Sequence, residues 1–425
     1  MDKHTIAGTT RRTFLMGLPV AGLMGTSLAA TALDRRNLTP LPQLTDQLLW
    51  RAVREEFRGS LNITAMNAAN MSPPCAGARA ALEAATTDID RDPSFENRAK
   101  YQQRHEATRA ALAELIGAAL DEIAITRNTS EGNNLIVQGL ALGPGDEIVL
   151  WEENHRSNEL SWEVRAQREG FKIIRVATPK QPESAEDLIA PFREAIGPST
   201  RLVSFSHVSN SSGTELPAAA LCKLTADAGA LSMIDGAQTV GAMALDVKAL
   251  GCDFMTCSGQ KWMCGPREAG MLYVRKDRQE LLNPLIVSYP LAGGDTGARA
   301  FEMLGQRDDG AIDALGQAAA LHLAIGPSRV EARVRSLTDL LMAEIRHKAP
   351  SARFLTPENP AYRLGVVVTA VTHGESGAAQ ARAYEQFAVS GSAFPGALRL
   401  CPHIYNDEAD IERAAAAMAT AIAPA

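Results

Sequence analysis

Residues 231–262 read LSMIDGAQTVGAMALDVKALGCDFMTCSGQKW, and two side chains in this stretch are in unusual company. The apolar run LSMID ends on a carboxylate, Asp235, and the run DFMTCS (253–258) is followed almost at once by Lys261. Short apolar runs bounded by turn residues read as buried strands of a parallel sheet. Asp235 would then stand at the carboxyl edge of that sheet, where open α/β folds place their ligands. Lysines ordinarily face water, yet Lys261 lies among Ser258, Gly259 and Trp262 and just ahead of Gly265 and Pro266. Desolvation there lowers an amine's pKa and suits it to attack a carbonyl. An exposed lysine and a helix-capping aspartate are the simpler readings of each residue alone. Gln238, three positions after Asp235, and Lys261, 26 positions after it, make the set more specific than any member.

Working outward, the same kind of run recurs at EIAIT (122–126), EIVLW (147–151), KIIRV (172–176), RLVSF (201–205) and GMLYVR (270–275). Alternation of these runs with longer helical patterns predicts an α/β large domain, a mainly parallel seven-stranded sheet between helices. Helices are expected over 311–325 and 330–347, broken by Gly326 and Pro327. A strand at 364–371, a helix near 377–388, a strand at 397–401 and a last helix from Asp407 predict a small C-terminal α+β domain. The expected divisions are 1–32, 33–75 as an N-terminal segment of the small domain, 76–320 as the large domain and 321–425 as the small one.

Several of the predicted strand ends carry further candidates. RNTSEGNN (127–134) follows a strand and opens a helix, offering the Thr129 and Ser130 hydroxyls and free N–H groups to an anion. His155 follows EIVLW, where an imidazole can stack on a ring or move protons near neutral pH. Asn210, in HVSNSSGTELP (207–217), follows RLVSF. Arg399, in LRLCPHIYN (398–406), offers a planar guanidinium that matches a carboxylate with two parallel hydrogen bonds. Capping, core packing or a surface ion pair is the plainer account of each. Pyridoxal phosphate needs an amine for its aldehyde, an acid for its pyridine nitrogen, a phosphate cradle and a group against its ring, and the chain has a candidate for each.

The 425 residues carry a formal net charge of −7 with 46% hydrophobic and 21% charged residues, which favours small-molecule chemistry over nucleic acid or an anionic membrane. TTRRTFLMG (9–17), with Arg11 and Arg12 ahead of a small-residue apolar stretch to about Ala32, reads as a twin-arginine export signal. It implies passage through the twin-arginine translocase, in folded form, to the periplasm. Six irregularly spaced cysteines suggest buried thiols rather than a disulfide framework or zinc site.

From about Leu61 onward the chain resembles the class V aminotransferase superfamily: NTSEGNN, NHRSN, VSNSSGTELP, DGAQ, SGQKW with GP, and LRLCPHIYN occur in the family's order and approximate spacing. The resemblance implies a pyridoxal-phosphate enzyme of fold-type I, a homodimer with active sites between subunits. It implies Lys261 as the lysine that holds the cofactor and the base at the substrate, Asp235 on the pyridine nitrogen, His155 on the ring face, and Asn210 and Gln238 near the ring oxygen. Thr129, Ser130 and Ser258 would hold phosphate, and Arg399 the substrate's carboxylate. Two residues depart from the pattern. Gln260 stands where a histidine is usual, and Gln306, in GQRDDG (305–310), stands where a threonine reaches the neighbouring subunit's phosphate. The segment from His373 to Leu398 has no cysteine, which argues against desulfuration through a protein persulfide. AFEMLGQRDDGAIDALGQAAALHLAIG (300–326) is most similar to the isopenicillin N epimerase branch, which implies chemistry at an alpha carbon of an amino acid or secreted peptide. Transamination, carbon–sulfur lysis and tailoring of a pyoverdine-type siderophore peptide are alternatives, the last on a resemblance to an exported maturation enzyme. A binding protein without catalysis is the rival of another class, opposed by the presence of both Lys261 and Asp235.

Overall fold

The computed structural model describes residues 41, 44–58, 62–288 and 297–423; the expected export signal lies outside them. In chain order the strands are β1 (Thr64–Ala65), β2 (Ile123–Thr126), β3 (Glu147–Trp151), β4 (Lys172–Val176), β5 (Thr200–Ser206), β6 (Leu231–Asp235), β7 (Phe254–Ser258), β8 (Gly270–Val274), β9 (Val367–Ala370), β10 (Val389–Ser390), β11 (Ser392–Phe394) and β12 (Ala397–Leu400).

The seven expected runs form one sheet in the order β2-β8-β7-β6-β5-β3-β4. Its two faces are both buried, and the period of two shows how. Ile123, Ile125, Val149 and Trp151 enter one core, while their neighbours Ala124, Ile148 and Leu150 enter the other. Only β8 runs against its neighbours β2 and β7. A parallel return needs a crossover, usually a helix. Residues 259–269 form a compact turn instead, so β8 comes back beside β7 and Lys261 hangs from the turn. Gly259 permits this closure, since a Cβ there would stand 2.6 Å from Leu315 Cδ1 and 2.7 Å from the Ala269 oxygen.

Helices Ala76–Arg91 and Phe95–Ile116, not anticipated from the sequence, pack on Asp309–Ile325 over one face. That last helix is unbroken until Gly326 (φ 94), after which Pro327–Lys348 leads into the second layer. There β11-β12-β9 form an antiparallel sheet, and β1 pairs in parallel with β10. Leu341, Ile345, Val367, Leu398, Leu400, Ile411 and Met418 make its core. Among the described residues no helix is long and apolar enough to cross a membrane.

Candidate active site

The carboxyl ends of β2, β3, β5, β6 and β7 open on one cavity of about 470 Å³. Asn70 from the N-terminal part and Ser392, Phe394 and Arg399 from β11 and β12 close it from the other side. Thr129, Ser130, His155, Asn210, Asp235, Gln238, Ser258, Gln260, Lys261 and Arg399 all line it. Gln306 does not: it is exposed and lines a separate cleft with Phe95, Tyr101 and Arg307. A larger cleft, about 790 Å³, lies beside Trp50, but its Arg54, Arg329 and Arg333 are already paired with Asp410, Asp46 and Glu408.

Lys261 is half-buried where it opens into the cavity. Burial lowers its pKa, Asp235 opposes that shift, and Arg399 adds to it. Asp235 is buried and accepts hydrogen bonds from Asn133 Nδ2 (3.1 Å) and the Ala237 amide (3.1 Å). Asn133 is oriented in turn by Thr256 Oγ1, which donates to its Oδ1 at 2.7 Å. Asn133 lies in NTSEGNN but was not singled out, because its partners come from strands 102 and 123 residues away.

Ser258 Oγ accepts from the Thr129 amide (2.9 Å) and lies 2.8 Å from Thr129 Oγ1, at the N-terminus of helix Thr129–Gly139. The buried Oε1 of Gln260 has no hydrogen-bond partner among the described residues. Gln238 is held at both ends of its amide: Nε2 donates to the Ala69 carbonyl (3.1 Å), and Trp262 Nε1 donates to its Oε1 (2.7 Å). His155 caps helix Arg156–Glu169, with Nδ1 accepting from the Ser157 amide at 3.2 Å. That bond keeps the lone pair on Nδ1 and the proton of the neutral ring on Nε2. Burial, then the positive charge of Lys261, pushes the His155 pKa down, with Asp235 opposing.

Arg399 is a buried cation whose hydrogen bonds all go to neutral acceptors: the Asn210 carbonyl (2.9 Å), Asn67 Oδ1 (3.1 Å) and Ser392 Oγ (3.2 Å). Its guanidinium lies 5.0 Å from the Phe394 ring centre, and Nε has no partner among the described residues. A buried guanidinium so placed favours an incoming carboxylate. All six cysteines are buried and free, and burial raises every thiol, Cys401 included. None has the electropositive, open setting of a nucleophilic thiolate.

The site fits pyridoxal phosphate on its own chemistry: a desolvated amine, a buried carboxylate fixed by two donors, and hydroxyls at a helix N-terminus. The class V aminotransferase model matches residues 90–413, and the chain belongs to that family, whose members use pyridoxal phosphate as cofactor. Isopenicillin N epimerase of Streptomyces clavuligerus is 31% identical over 329 residues, covering 73% of this chain and 82% of that one. The cysteine desulfurase of Klebsiella pneumoniae is 33% identical over 283 residues, 63% of this chain and 67% of that one. Among solved structures, a variant of C-DES with glycine linked to its cofactor has a TM-score of 0.78 at 25% identity, covering 86% and 98% of the two chains. C-DES, described as a cystine C–S lyase, also matches in complex with cysteine persulfide, with a TM-score of 0.77 and 25% identity over 85% and 99%. The protein is thus a pyridoxal-phosphate-dependent enzyme of fold-type I, with isopenicillin N epimerases among its relatives.

Proposed function

We propose that this enzyme removes and returns the alpha proton of an amino acid, or of an amine-bearing residue in a peptide, in an epimerase-like reaction. The observation that carries the reading is the convergence of Lys261, Asp235 and an ion-unpaired Arg399 in one cavity. Bound there, pyridoxal phosphate supplies the electron sink that lets an alpha C–H bond ionise. Arg399 takes the substrate carboxylate and Phe394 backs its guanidinium. Lys261 Nζ, its pKa lowered by burial, takes the alpha proton on one face of the substrate, and a proton returned on the opposite face inverts the centre. Asp235, held by Asn133, keeps a proton at the pyridine nitrogen, and Thr129, Ser130, Ser258 and Gln260 bind phosphate. His155 presents its neutral ring to the cofactor face, beside Asn210 and the remaining N–H of Gln238. Exposed Gln306 serves the phosphate of a second copy in a homodimer.

Incubation in deuterated solvent tests the reaction. Deuterium at the alpha carbon of inverted product supports epimerisation. Release of a keto acid, with or without a sulfur product, replaces it with transamination or with elimination of the kind a cystine C–S lyase such as C-DES performs. The sequence Arg11–Arg12 motivates the further proposal that the substrate is periplasmic, a secreted or siderophore-type peptide included. Arg11→Lys with Arg12→Lys is then expected to retain the protein in the cytoplasm on fractionation; unchanged export sinks that part.

A further inference from the structure

We propose that Cys264, His322 and His403 form a buried transition-metal site, taking zinc, behind the turn that carries Lys261. One potential ligand atom from each residue lies within 4.8 Å of the others. The three are 0%, 1% and 0% exposed. His403 Nε2–H donates to the Trp262 carbonyl at 2.6 Å, which leaves the lone pair on Nδ1, and Nδ1 has no partner among the described residues. His322 is likewise buried, and its Nε2 has no hydrogen-bond partner among the described residues. An imidazole that gives one nitrogen to a backbone carbonyl and keeps the other free is how proteins orient histidine on a metal.

The two rings are nearly parallel (21°) with centres 6.1 Å apart. Zinc bonds of about 2.0–2.1 Å to nitrogen and about 2.3 Å to sulfur are formed there by an inward turn of the three side chains. Trp262 and Tyr405 pack edge-on against His403, at 5.0 and 5.6 Å, and a water would complete the four ligands that zinc takes. Binding breaks the Cys264 S–H bond, forms a sulfur–zinc bond and releases one proton to solvent, with no change of oxidation state. The ion would tie the lysine turn, through Cys264, to helix Asp309–Ile325 and to the segment after Arg399.

The test is zinc and cofactor content measured on the same sample of dialysed holoenzyme from zinc-supplemented growth. About one zinc per protomer is expected, falling roughly tenfold in Cys264→Ser and in His322→Gln. Exchange with cobalt(II) should give the visible bands of a tetrahedral cobalt thiolate. Wild-type protein carrying full cofactor but neither zinc nor cobalt bands overturns the site and leaves the enzyme reading intact; that result needs no variant to fold. Zinc retained with both variants overturns the ligand assignment.

Discussion

Asn133 shows how one side chain sets the electrostatics of a cofactor site. It is buried, takes a hydrogen bond from Thr256 and gives one to Asp235, so Asn133→Ala leaves a buried carboxylate oxygen short of a donor. A loss of roughly 1–3 kcal/mol in stability is expected, together with weaker cofactor retention on gel filtration. Wild-type retention in that variant would remove Asn133 from the site's machinery. Lys261→Ala should cost more, about 10²–10⁴-fold in alpha-proton exchange, read as deuterium incorporation. His207, whose amide donates to the Asp235 carbonyl oxygen, has a different effect. Burial, with Arg335 nearby, pushes its pKa from 6.5 to about 4. Below 6.5 the unfolded chain takes up this proton and the folded chain does not, so stability falls as pH drops from 6.5 to 4 and is unaffected above. The full loss is about 3 kcal/mol. Urea unfolding at pH 7.5 and 4.5 should show a smaller pH difference in His207→Gln than in wild type; equal differences would mean that the imidazole is not buried neutral.

At the scale of elements, the turn between β7 and β8 is held by glycines on its neighbours. Gly241 has φ +90, and a Cβ there would stand 2.6 Å from the Trp262 carbonyl carbon and the Met263 amide. Gly241→Ala is expected to displace the peptide next to Lys261 and cost about 1–3 kcal/mol, seen as a lower melting temperature with reduced cofactor content. A variant matching wild type in both would show that the turn tolerates movement. The strands of the central sheet were legible because each is a continuous apolar run, and their ends pointed to Thr129, His155, Asp235 and Lys261. β1, β10 and β11 were not: strands of two or three residues carry no periodicity, and they exist through pairing with distant chain, Thr64 with Val389 and Ser392 with Arg399. The helices over 76–116 were missed for a related reason. Phe95–Ile116 places its polar residues, including the buried Arg109, on faces that only packing identifies.

At the scale of the whole molecule, apolar surface is left uncovered. Phe95 is 83% exposed and Val287 87%, and Phe95 shares a cleft with Gln306. If a second copy covers them, Phe95→Asp with Val287→Asp should shift sedimentation from dimer to monomer and weaken cofactor retention. A wild-type monomer carrying cofactor would end the homodimer proposal. The amino-acid sequence by itself determined the sheet, its carboxyl edge and the residue types on that edge, because burial on both faces forces continuous apolar runs and the chemistry follows directly after them. Tertiary structure alone decided that Arg399 has no anionic partner among the described residues, that Gln238 is tied to Ala69 and Trp262, that Asn133 sets Asp235, and that Gln306 lines a cleft apart from its own chain's cavity. Each of these rests on contacts between segments far apart in the chain, and local pattern holds no information about which distant group will fill a donor or acceptor.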